Sequence, residues 1–381
     1  MSIKSPGMHL PRRRNNYKII TSSRISNCHL KISSNTAQHP ADTMPEYAQD
    51  QPAGYNNYVS NIVLVGAGGQ VGSHIASALL ATGKHTVTAL TREGSASKLP
   101  AGLKVARVPS YDDEAAVEAA LKAADAQVLI ITLGVTASPE TQPHLIKAAC
   151  AAGVRFILPN SWGIKMSDEK LAEETFLGRK DIVAQETVEQ AGGVSRLIFI
   201  ACGFWYEFSL AGGRDRYGFD FDERVFLMLD DGETKMHTST WTQTGRAVAA
   251  ALSLPILPQS PSDEALTLSG VASSAEPVFH VKSFLLSQKD MFESVKRVTG
   301  TTDADWTVLR KTSKEQYEEG RDAVLGGDMK AYGKLLYGRG WFPGAGKFDR
   351  IDNEALGLPE EDLDAATKEA VRMAMNHEVP Y

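Results

Sequence analysis

Three observations predict a doubly wound α/β fold followed by a smaller mixed α/β region. From Asn61 onward, short apolar runs alternate with amphipathic stretches, the pattern of a parallel sheet covered by helices on both faces. The first run, residues 62–65, passes directly into Gly66-Ala67-Gly68-Gly69-Gln70-Val71-Gly72 and then into a helix. With 381 residues, 43% of them hydrophobic, the chain is long enough for a deep core and a second region.

The elements follow in order. Residues 62–65 form the first strand, and the helix over 72–82 sets Val71, Ile75, Ala78 and Leu79 on one face before stopping at Gly83. Residues 85–90 and 103–108 read as the second and third strands, 113–124 as a helix, 127–133 as the fourth strand and 142–152 as a helix. A fifth strand over 154–158, a long helix over 168–191 and a sixth strand over 196–201 complete the alternation. Beyond Gly203 the pattern changes. Runs over 219–229 and 234–240 flank Asp231-Gly232, a pair suited to a tight turn, so a β-hairpin is expected there. A helix over 245–252, a Pro- and Ser-rich loop over 255–277 and a strand over 278–285 come next. Ser287 with Asp290 caps a helix ending at Gly300, Ser313 with Gln316 opens another ending at Gly326-Gly327, and a last helix covers 360–375.

Charge and composition narrow the function classes. The net charge of -6 is uneven: residues 1–43 hold seven Lys or Arg and one acid, leaving 33 basic against 45 acidic residues in the remainder. So acidic a globular part argues against a nucleic-acid-binding face, because phosphate neutralisation needs clustered Lys and Arg. Apolar runs such as 128–135 stop far short of the roughly 18 residues of a membrane span. Cys28, Cys150 and Cys202 form neither a disulfide framework nor a metal spacing, which fits a reducing compartment and a cytoplasmic location. Cys202 is expected to be a buried, inert thiol, and His237 a strand histidine with a structural partner. Residues 1–43, Ser- and Arg-rich and almost acid-free, have the composition of a mitochondrial transit peptide. They read equally as a disordered leader or tail before a second start at Met44.

The glycine loop carries the first functional reading. Gly66 allows the tight turn, Gly68 and Gly69 let backbone approach a pyrophosphate, and Gly72 lets helix and strand pack closely. With Ala67, Gln70 and Val71 the loop would hold the phosphates at the exposed amides of the helix start, where the dipole favours anions. A dinucleotide-binding Rossmann domain over 44–203 and a substrate-binding region over 204–381 follow. The second strand ends at Arg92, 20 residues after Gly72, where an acid would select NAD and an arginine accommodates a 2′-phosphate. NADPH is therefore the expected coenzyme, with Lys98 a second cation for that phosphate. Ligands bind beyond the carboxyl ends of the strands, so Thr132, Leu133, Gly134, Pro159 and Asn160 should border the nicotinamide. Ser161 and Trp162 should line the substrate pocket, and Phe204, Trp205 and Phe208 could stack on an aromatic substrate or pack in the core.

Residues 61–203 resemble the NmrA-like, isoflavone-reductase-like branch of atypical short-chain dehydrogenases, and look most like its fungal CipA-type members. The resemblance rests on Gly66-x-x-Gly69-x-x-Gly72, Leu90-Thr91-Arg92, the run from Arg155 through Pro159-Asn160-Ser161-Trp162-Gly163, and Ala201-Cys202-Gly203-Phe204-Trp205-Tyr206-Glu207-Phe208. Asp231-Gly232 and Gly245-Arg246-Ala247-Val248-Ala249 extend it over most of residues 45–375. It implies NADPH-dependent reduction of a small aromatic or phenolic secondary metabolite. It also implies a lysine general acid or base on the helix after the fifth strand, for which Lys180 is the nearest match. Proton transfer from a lysine needs a buried setting, so a Lys180 directed to bulk solvent would remove the role. A non-catalytic NmrA-type sensor that binds the dinucleotide and a protein partner would then gain. Tyr206 is a second candidate proton donor.

Other chemistries fail on spacing. No tyrosine has a lysine four residues on, and there is no Gly-x-Ser-x-Gly, Walker loop, His-Glu-x-x-His or His pair at ligand spacing. The usual Tyr–Lys dehydrogenase pair, hydrolase, nucleotide-triphosphatase and zinc readings therefore lack support, and no metal is expected.

Overall fold

The computed structural model describes residues 46–134, 137–164, 169–177 and 179–379; the basic leader lies outside them. All belong to one unit, Thr43–Tyr381. Strands β1 (Asn61–Val65), β2 (Thr86–Arg92), β3 (Lys104–Val108), β4 (Val128–Ile131) and β5 (Phe156–Leu158) alternate with helices α1 (Gln70–Ala81), α2 (Glu114–Ala123) and α3 (Thr141–Ala152). After β6 (Trp162–Gly163), α4 (Glu169–Glu174) and α5 (Lys180–Ala191), strand β7 (Arg196–Leu197) completes a six-stranded sheet of order β3-β2-β1-β4-β5-β7. All its pairings are parallel.

Alternation along the strands divides the core into two layers. Ile62, Leu64, Val128, Ile130 and Phe156 face α1, while Val63, Val65, Leu129, Ile131 and Ile157 face α2, α3 and α5. Ile75 and Leu79 of α1 are fully buried, each worth about 1.5–3 kcal/mol against exposure. The expected doubly wound sheet is thus present, with both faces covered.

The rest of the chain builds three small sheets and a second, aromatic core. Its elements are β8 (Phe199–Ala201), β9 (Phe204–Trp205), α6 (Tyr206–Leu210), β10 (Phe219–Asp220), β11 (Val225–Leu229), β12 (Met236–Ser239), α7 (Trp241–Leu252), α8 (Leu268–Ala272), β13 (Val278–His280), β14 (Phe284–Leu286), α9 (Gln288–Thr299), β15 (Thr307–Lys311), α10 (Ser313–Leu325), α11 (Tyr332–Gly340) and α12 (Leu363–Met375). The sheets run β10-β11-β15, β14-β12-β9 and β13-β8-β6. Among the described residues, no helix is long and apolar enough to cross a membrane.

Several local expectations are corrected: the strand over 196–201 divides into β7 and β8 and the strand over 278–285 into β13 and β14, each pair split between sheets, and the loop over 255–277 contains α8. The runs beside Asp231-Gly232 do not form a hairpin: β11 pairs with β10 and β15, whereas β12 pairs with β9 and β14. The Asp-Gly pair still turns the chain, with Gly232 at φ +73 and its N–H on the Leu229 carbonyl, but it carries the chain between sheets. The single helix over 168–191 is two helices, because Phe176 takes the left-handed conformation at φ +53 and ends α4.

Candidate coenzyme and active site

The glycine loop is built around contacts that admit no side chain. Gly66 has φ +82, and a Cβ there would lie 1.9 Å from the Thr132 carbonyl oxygen. At Gly72 a Cβ would lie 2.1 Å from the Gly66 oxygen and 2.7 Å from Thr132 Oγ1. Thr132 in turn donates from N–H and Oγ1 to the Val65 carbonyl, at 3.0 and 2.7 Å. The end of β1, the start of α1 and the end of β4 therefore meet without side chains between them. Gly69 is the N-cap of α1 and offers no side chain to the helix's first amides, and Gly68, Gly69 and Gln70 are exposed. Such a cradle of bare backbone and free helix N–H groups fits a pyrophosphate. Ala67 and Val71 are buried and anchor it from below.

The 2′-phosphate candidates lie beside it. Arg92 ends β2, exposed, with its guanidinium 5.6 Å from the centre of the Tyr111 ring. Tyr111 donates its hydroxyl to the Leu90 carbonyl at 3.0 Å, so a residue absent from the sequence reading steadies the arginine. Lys98 is exposed, and its backbone carbonyl would lie 2.8 Å from a Cβ on Gly68. The segment carrying Lys98 thus closes over the loop.

At the other end of the sheet, Asn160 pairs with both backbone groups of Leu133: its Oδ1 accepts from the N–H at 3.0 Å and its Nδ2 donates to the carbonyl at 3.1 Å. The Asn160 N–H donates to Gln142 Oε1 at 2.6 Å. Both side-chain groups of Asn160 are committed to shaping the β4 and β5 exits, so its role is positional. Trp162 donates its indole N–H to the Ile131 carbonyl at 2.9 Å and is likewise structural at that atom. Pro159 is buried, Gly134 is exposed with open space around it, and Ser161 is half-buried.

The catalytic candidates fare differently. Lys180 is the first residue of α5 and is exposed, so the buried setting on which its acid–base role rested is absent. Beside it, Asp181 has Oδ1 buried without a hydrogen-bond partner among the described residues. Burial raises the Asp181 carboxyl above its ordinary value, while the Ser161 hydroxyl and the Lys180 ammonium pull it back. Asp181 was missed because an acid in the first turn of a helix is routine for the dipole alone.

Tyr206 is corrected outright. Its side chain is fully buried, its hydroxyl lies 2.6 Å from Thr367 Oγ1, and burial drives its pKa well up. Phe204 packs 4.5 Å from Tyr337, centre to centre, and against the bare Gly340 backbone. Phe208 carries the Arg216 guanidinium 3.8 Å over its ring, and Trp205 and Phe208 pack with Trp241 at 6.5 and 6.1 Å. Phe204 is buried in the core, whereas Trp205 and Phe208 are half-buried against it. Cys202 is fully buried, its thiol pushed up to about 11 by desolvation, and His237 accepts the Phe348 N–H on Nδ1 at 2.9 Å.

Fold and glycine cradle together define a dinucleotide-binding α/β protein. Residues 66–198 match the model of an NAD(P)H-binding family, and the chain carries an NAD(P)H-binding domain. Oxidoreductase aprR of Aspergillus flavus is 26% identical over 310 residues, 80% of this chain and 96% of that protein. Among solved structures, one of the pinoresinol-lariciresinol and phenylcoumaran benzylic ether reductases superposes with a TM-score of 0.63 at 16% identity, covering 82% of this chain and 99% of that one. AtPrR2 with NADP+ and (+)-pinoresinol gives 0.62 at 14% identity and the same coverage. At these identities the solved structures speak to the fold, which they share with this chain.

Proposed function

We propose that this protein is an NADPH-dependent reductase of a small aromatic or phenolic metabolite. The observation that carries the reading is the cradle at Gly66, Gly68 and Gly72, closed on one side by Lys98 and flanked by Arg92. The loop holds the pyrophosphate, and Arg92, steadied by Tyr111, takes the 2′-phosphate with Lys98 near it. When bound, the dihydronicotinamide supplies a hydride. Thr132, Leu133, Gly134 and Pro159 border that end of the coenzyme, with Asn160 fixing the Leu133 backbone. Residues 44–203 thus serve the coenzyme and 204–381 help enclose the substrate, beside Ser161 and Trp162. The similarity to a fungal oxidoreductase over most of both chains and the fold shared with a protein solved with NADP+ and (+)-pinoresinol support this reading.

The rival, an NmrA-type sensor that binds the dinucleotide without turnover, draws on the exposure of Lys180. Titration with NADPH and NADH, followed by NADPH oxidation with aryl enones and benzylic ethers, separates the two. Tight NADPH binding with turnover supports the reductase, binding without turnover the sensor, and binding of neither nucleotide refutes both.

A further inference from the structure

Among the described residues near the expected nicotinamide end of the sheet, Asp181 is a partly buried titratable group that the reading above leaves unused. From β2 to β5 the strand exits present Arg92, the glycine loop, the Thr132–Gly134 segment and Pro159–Ser161 in turn. A dinucleotide whose ribose phosphate lies at Arg92 therefore brings its nicotinamide toward Pro159–Ser161. Ser161 is half-buried there, in a tight turn with its N–H on the Pro159 carbonyl at 2.7 Å, and its hydroxyl acts on the Asp181 carboxyl. Oδ1 of that carboxyl is buried and unpaired among the described residues, and a buried, unsatisfied carboxylate oxygen is costly unless a proton or a partner arrives.

We infer that Ser161 and Asp181 form a proton relay: Ser161 protonates the reduced substrate and Asp181 re-protonates Ser161. The inference rests on the reductase reading. As the dihydronicotinamide is oxidised, its hydride adds to an electrophilic carbon and an electron pair moves onto the adjoining substrate oxygen. That oxygen takes the Ser161 proton, the Ser161 oxygen takes the carboxylic acid proton of Asp181, and water restores the acid between turnovers. The desolvation that favours protonated Asp181 suits it to the donor state. Of the other charged groups around α5, Glu189 is exposed on the same helix. Arg179 pairs with Glu186 at 2.8 Å, and on α3, which packs against α5, His144 and Lys147 reach Glu114 at 2.6 and 3.8 Å. Lys180 remains, and it opposes the shift.

Two readouts on the full chain test the relay. Carboxyl carbon NMR of aspartate-labelled protein, assigned with Asp181→Asn, should place the Asp181 titration clearly above the ordinary value of about 3.9. Ser161→Ala should move it higher still, because the hydroxyl favours the carboxylate. An ordinary or depressed titration, or one indifferent to Ser161→Ala, overturns the relay whatever the activity. In kinetics with NADPH and either chalcone or (+)-pinoresinol, Asp181→Asn should lower kcat about 100-fold or more. NADPH affinity should stay within about twofold, and the alkaline fall of the pH profile should flatten. Lys180→Ala should keep kcat within about threefold. Full activity in Asp181→Asn, or the loss appearing in Lys180→Ala instead, overturns the relay and leaves the reductase standing. A wild-type protein that binds NADPH and reduces neither probe overturns the reductase reading, and the relay with it.

Discussion

Replacing Gly66 by alanine tests whether the cradle is as tight as the distances imply. The added methyl would lie 1.9 Å from the Thr132 carbonyl oxygen, where ordinary contact begins at 3.4 Å, so one of the two must retreat by about 1.5 Å. Thr132 is tied to the Val65 carbonyl through both N–H and Oγ1, and displacing it forfeits two hydrogen bonds of about 1 kcal/mol each. Holding alanine at φ +82 adds about 1–2 kcal/mol. The expected loss is therefore about 3–4 kcal/mol in urea unfolding, together with loss of measurable NADPH binding in calorimetry. Gly83→Ala is the control, since Gly83 has φ +65 and nothing within 4 Å of a Cβ; it should lose about 1–2 kcal/mol from backbone strain alone. Equal losses in the two variants would refute the contact argument, and unchanged NADPH affinity in Gly66→Ala would refute the cradle as the coenzyme site.

Three further outcomes follow from the same geometry. Arg92→Ala should weaken NADPH binding by about 1.5–3 kcal/mol, roughly 10- to 150-fold, and leave NADH nearly unchanged in calorimetric titration; equal weakening of both would remove Arg92 from the 2′-phosphate. Tyr206→Phe should lose about 1 kcal/mol of stability with the Thr367 contact and keep the turnover of the folded protein, whereas a catalytic Tyr206 would abolish it. Glu207 is buried, and desolvation raises its carboxyl to about 8. The folded protein then holds a proton that the unfolded chain releases above about pH 4.5, so the Glu207 contribution to stability should fall as pH rises from about 5 to 8, by up to roughly 1.4 kcal/mol per unit, against the opposite contribution of His237, whose pKa burial lowers to about 4. The stability difference between wild type and Glu207→Gln should therefore shrink or reverse as pH rises across that range in denaturation curves, and a difference independent of pH would exclude the Glu207 contribution.

What the sequence by itself determined is the part governed by local chemistry and strict periodicity. The β1–loop–α1 unit was legible because only glycine tolerates φ +82 and backbone-to-backbone approach at Gly66 and Gly72. Strands β2 to β5 were legible in place, helped by the short apolar runs of a sheet covered on both faces, whereas the run expected as one strand over 196–201 divides between β7 in this sheet and β8 in another. Arg92 could be singled out because its distance from the loop is set by one turn of the βαβ unit. Only the tertiary structure decided the rest, where one local pattern suits several neighbours. Asp231-Gly232 makes a turn in any setting, but the occupied edges of β11 sent β12 to another sheet. An aromatic run after β8 fits a substrate slot or a core, and packing against Tyr337 put Phe204 in the core while Trp205 and Phe208 stay half-buried beside Trp241. Lys180 and Asp181 are adjacent in sequence. The direction in which α5 leaves its N-cap exposes the lysine and buries an oxygen of the aspartate, because burial is a property of what packs around a residue and not of the residue itself.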